Sequence, residues 1–195
     1  MKKATFARAV AAGALTATAA LALAACSTTP TPMNDSGANQ ADVMFVQMMI
    51  PHHEQAIEMS DMLLAKAGVD ADIIDMAEEI KAAQAPEIAQ MESWLDGWGL
   101  PSMGGGTGND GGHGMDHGGS DGMMSEDDMQ ELQSASGSEA GDLFLEQMIV
   151  HHEGAIEMAD TVIDDGRHPD VGALADEIVA SQTDEIGRMR SMLGS

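Results

Sequence analysis

The chain has 195 residues, of which 33 are acidic and 8 basic, giving a formal charge of −25, and repulsion on that scale excludes nucleic acid as a partner. Its one cysteine excludes an internal disulfide and a thiolate cluster, so any soft-metal chemistry has to use other ligands. Eighteen methionines stand against three phenylalanines, two tryptophans and no tyrosine, which predicts a core packed by flexible thioethers rather than by rings.

Residues 1–25 read as a signal peptide: Lys2, Lys3 and Arg8 precede an apolar run that closes on small residues before Cys26. The run is too short and alanine-rich for a permanent membrane span. The small residues before Cys26 resemble a bacterial lipobox, in which the cysteine is lipidated and becomes the first mature residue. That makes a lipid anchor the expected membrane contact and the outer face of the cell membrane the expected location. Loss of the three leader bases leaves a mature charge near −28, a surface that concentrates cations. Residues 26–40, rich in Ser, Thr, Pro and Asn, read as a flexible tether.

The expected folded region is 41–195: a first repeat at 41–100, a linker rich in Gly, His and Met at 101–124, and a second repeat at 125–195. Met49, His52, His53, Ala56, Ile57 and Met59 recur 99 residues later as Met148, His151, His152, Ala155, Ile156 and Met158. With a one-residue deletion, Gln84, Glu87, Ile88 and Met91 recur as Gln182, Glu185, Ile186 and Met189. Each repeat predicts two helices joined by a turn, at AGVDAD in the first and DDGRHPD in the second. Two hairpins too small to bury their apolar faces alone make a four-helix bundle, and the fold class is all-α.

At about 100° per residue, Phe45, Met49, His52, Ala56, Met59 and Leu63 share one seam of the first helix, and Val46, Ile50, His53, Ile57 and Leu64 an adjacent one. Both histidines therefore face inward, while Gln47, Glu54, Glu58 and Asp61 take the opposite side. Pro51, where the second repeat has Val150, removes a backbone hydrogen bond just before the pair. On the second helix Ile73, Ala77, Ile80, Gln84, Ile88, Met91 and Leu95 form a seam with Glu87 at its edge. Buried without partners, each such His or Gln would cost about 1–3 kcal/mol, so they must satisfy one another, hold water or hold something else. Imidazole and thioether together select copper, Met favouring Cu(I) and His accepting either oxidation state.

In the linker, HGMDH sets His113, Met115 and His117 in a glycine-rich run that can wrap an ion. After it, SEDD at Ser125 predicts a capped short helix. A di-iron carboxylate site is disfavoured because no Glu-x-x-His precedes either pair, and no HExxH motif occurs.

The repeated M-I-x-H-H-x-x-A-I-x-M, the following Q-x-x-E-I-x-x-M-x-x-x-L and the W-L-x-x-W-G-x-P of Trp94 to Pro101 resemble domain of unknown function family 305 over about Ala41 to Ser195. The resemblance implies a ferritin-like four-helix bundle and a role as an exported copper-binding protein in copper resistance. It carries over to His52, His53, Met49, Met59, His151, His152, Met148 and Met158 as candidate ligands. The leading expectation is an extracytoplasmic copper-binding lipoprotein, a chaperone or sequestering protein rather than an enzyme, with a metal ion as ligand and no identified protein partner. The alternatives are a metal-dependent oxidoreductase of the envelope and a metal-free structural or interaction module.

Overall fold

The computed structural model describes residues 37–102 and 122–194, all within one compact unit. The signal peptide, Cys26, most of the tether, and His113, Met115 and His117 lie outside the described residues. Five helices and no strands are present among those described: α1 (Gln40–Leu64), α2 (Ala71–Trp98), α3 (Glu126–Ser134), α4 (Gly137–Asp165) and α5 (Pro169–Leu193). None of them is long and apolar enough to cross a membrane. The all-α bundle of two helical hairpins expected from the repeats is the observed architecture, with α1 and α4 packed together at its centre, α2 on α1 and α5 on α4.

The helix ends follow from local chemistry. Asn39 and Asp42 form a reciprocal capping box on α1, and Ser125 and Asp128 form one on α3, within the predicted SEDD. Gly99, at φ 70°, closes α2 in the left-handed conformation that glycine adopts without penalty. The helix α1 runs unbroken through Pro51.

Asp42 has a second task. Its buried carboxylate accepts the backbone N–H of Asn39 at 2.7 Å and those of Arg167 and His168 at 3.1 and 3.2 Å, tying the start of α1 to the turn between α4 and α5. Such charge-assisted bonds offset the desolvation of the acid.

Two apolar halves make up the core. One joins the first half of α1 (Phe45, Val46, Met49, Ile50) to the end of α2, the second half of α4 and the start of α5. The other joins the second half of α1 (Ala56, Met59, Leu63) to the start of α2, the first half of α4 (Phe144, Leu145, Met148) and the end of α5. Each half therefore draws on both hairpins, with α1 and α4 antiparallel. Of the predicted seam positions of α1, Phe45, Val46, Met49, Ile50, His52, His53, Ala56, Met59 and Leu63 are buried and Ile57 and Leu64 half-buried, while on the opposite side Glu54, Glu58 and Asp61 are exposed and Gln47 is half-buried.

A layer of imidazoles between two apolar halves

Between the two halves the bundle carries a polar layer. His52, His53, His151, His152, Gln84 and Gln182 are all at most 3% exposed. His52 on α1 and His151 on α4 meet ring to ring across the central helix pair, their centroids 3.7 Å apart and their planes inclined by 37°. His53 and His152, one residue further round each helix, turn outward to the flanking helices. There His53 Nε2 donates to Glu87 Oε2 on α2 at 2.6 Å, and His152 Nε2 donates to Glu185 Oε2 on α5 at 2.7 Å.

The direction of these two bonds determines the chemistry of each ring. A carboxylate can only accept, so Nε2 carries the proton and Nδ1 of the neutral imidazole keeps its lone pair. In both His53 and His152 that Nδ1 is buried with no hydrogen-bond partner within the protein, as are Nε2 of His151 and the side-chain carbonyls of Gln84 and Gln182. Native interiors leave few such atoms, each costing about 1–3 kcal/mol. They are concentrated in one layer, and in His53 and His152 the opposite ring nitrogen is bonded to a carboxylate.

His151 is held well below the ordinary histidine range, first by burial and then by the neighbouring imidazoles of His52, His152 and His53. It is therefore neutral at pH 7, the protonation state a metal ligand needs.

The thioethers stand above and below the layer. Met49 and Met148 precede His52 and His151 by three residues, on the same helical face. Met49 lies in the first apolar half, against which Met158 packs, and Met59 and Met148 lie in the second. No group of three or more His, Cys, Asp or Glu side chains is arranged to hold a metal ion among the described residues. Imidazole and thioether are the donor types that this part of the bundle brings near one another, a combination that as chemistry suits copper better than zinc.

Glu87 and Glu185 were not among the candidate residues read from the sequence. The repeat aligns them, three residues after the two buried glutamines, but only the helix packing brings them to the histidines. The absence of Glu-x-x-His on one helix concealed a His–Glu pair between two.

The fold defines an all-α helical-bundle protein with a buried layer of imidazoles between two methionine-containing apolar halves. The chain belongs to the DUF305 family, described as a domain of unknown function, which it matches over residues 42–193. No protein of curated function matches the sequence. Among solved structures it is similar to a DUF305 fragment from Deinococcus radiodurans, 32% identical, covering 80% of this chain and 97% of that one with a TM-score of 0.70. A DUF305 protein of Streptomyces coelicolor, proposed to be secreted, is 31% identical over 79% of this chain and 91% of its own, with a TM-score of 0.67. CopM in its Cu(II)-bound form is 31% identical over 78% of this chain and 95% of its own, with a TM-score of 0.63. CopM has also been solved with Cu(I), with silver and without metal.

Proposed function

We propose that this protein is an exported copper-binding lipoprotein that sequesters or hands on copper outside the membrane. The observation that carries the reading is the central layer, where lone-pair nitrogens of buried imidazoles stand unpartnered between thioethers. The similarity to CopM, solved with both copper oxidation states, supports it. In this reading His52, His53, His151 and His152, with Met49, Met59, Met148 and Met158, hold the ion, and Glu87 and Glu185 orient the rings. Export and anchoring rest on the leader and Cys26, and His113, Met115 and His117 provide further donors in the linker. Bound copper supplies binding capacity here and no reaction step.

The test is to offer copper and zinc at equal concentration to the mature protein and to a variant carrying His52→Leu and His151→Leu. The wild type retains copper, and copper raises its melting temperature through preferential binding to the folded state. The variant loses the tightest copper binding while its apo form is as stable as before or more so, since apolar side chains replace desolvated imidazoles. Wild-type copper affinity in a destabilised variant would refute the assignment.

A second reading has its own observation in its favour: the His53–Glu87 and His152–Glu185 bonds each tie a central helix to its flanking neighbour. In that case the layer is architecture that fixes helix register, and the same variant separates the two.

A further inference from the structure

Among the described residues, the groove between α1 and α4 is closed at one end and open at the other. At the closed end α3 lies over both helices: Gln55 of α1 exchanges hydrogen bonds with the backbone of Met124, and Gln147 of α4 donates to the carbonyl of Asp128. Leu132 of α3 is fully buried there, in the apolar half that also holds Met59. The open end, a groove of about 540 Å³, includes Met44, Met48, Met158, Glu157 and Asp165 in its lining.

The repeat makes the two ends comparable position by position. At the covered end the counterparts of Met44 and Met48 are Leu143 and Gln147, whereas Met158 corresponds to Met59. The extra thioethers thus lie on the uncovered side. Met44 and Met48, four residues apart, share a face of α1. Met44 is 51% exposed, more than any other large hydrophobic side chain among the described residues. Met48 and Met158 are half-buried, and Met158 also packs against the apolar half that contains Met49.

We propose that Met44 and Met48, with Met158 shared between them and the central layer, form a further, solvent-accessible site for a soft monovalent cation, Cu(I) or Ag(I). Thioethers select soft ions over the hard cations that an acidic surface also attracts, and the carboxylates of Glu157 and Asp165 raise the local cation concentration at the mouth. Met158, shared between the groove and the packing around Met49, places this site on the way to the central layer. The proposal deepens the copper reading and rests on it for the identity of the cargo, but its ligands are distinct from the histidines.

The experiment uses the mature chain with methyl-¹³C methionine, titrated with silver nitrate in chloride-free buffer. The methyl signals of Met44, Met48 and Met158 shift together as silver is added, and zinc leaves them in place. Met44→Leu with Met48→Leu lowers silver stoichiometry by one equivalent, whereas His52→Leu with His151→Leu leaves that equivalent and the Met44 and Met48 shifts intact. Unmoved Met44 and Met48 signals in the wild type, or unchanged stoichiometry in the double Leu variant, would overturn the groove site. A histidine variant that binds copper like the wild type sinks the central assignment instead, so the two failures are distinguishable.

Discussion

His53 and His152 each have one nitrogen committed to a glutamate and the other facing the interior, so the two glutamates control how the rings present themselves. Replacing Glu87 and Glu185 by glutamine leaves groups of the same size that can also donate, and the ring tautomer is no longer imposed. Copper affinity should fall about 10–100-fold with helicity unchanged, as measured by chelator competition and circular dichroism; unaltered affinity would remove the glutamates from the site. His151 gives a pH prediction for the apo protein. Its folded pKa is depressed, while in the unfolded chain it titrates near its ordinary value of about 6.5. Above that pH both states are neutral and no stability is lost. Below it the unfolded chain takes up a proton that the native state excludes, so stability falls by up to about 1.4 kcal/mol per pH unit for this residue. Urea unfolding at pH 7.5, 6.5 and 5.5 should show that decline, and His151→Leu should make it shallower. The inward direction of these histidines was legible from a 3.6-residue period alone. Their glutamate partners were not, because period reports which face a residue occupies and says nothing of which helix lies against it.

At the level of elements, the repeated hairpins and their turns could be read from the sequence because the apolar seams are long and occur twice. Two features could not. One is the buried Asp42, whose partners Arg167 and His168 are more than a hundred residues away. The other is the seat of the segment that leads into α3. Gly122 has φ 72°, and a Cβ there would lie 2.6 Å from the carbonyl oxygen of Val150 and 2.9 Å from Cα of Gly154. Both are backbone atoms of α4 and cannot step aside. By contrast, a Cβ on Gly141 would lie 2.9 Å from Cδ1 of Ile73, the movable end of a side chain. Gly122→Ala should therefore cost about 1–3 kcal/mol, and Gly141→Ala clearly less. Equilibrium denaturation of the two variants is the check, and equal costs would mean that the segment before α3 is not held tightly on α4.

For the whole molecule, the proposed lipid anchor makes attachment and folding separable. Cys26 precedes the first described residue by eleven positions, so Cys26→Ser should release the protein from membranes while the bundle keeps its helicity and melting temperature. Fractionation and circular dichroism read the two outcomes, and a variant that stays with the membrane after processing contradicts the lipid anchor. The interleaved core has a different consequence. Each apolar half takes the front of one hairpin and the back of the other, and the two rings that meet at 3.7 Å come one from each. Neither hairpin holds a complete half-core or a complete set of imidazoles. Whatever binds in the central layer is therefore gripped by two partners at once and works as a clasp: its binding free energy adds to the cohesion of the hairpins, and loosening their embrace at either end is the natural route to letting it go.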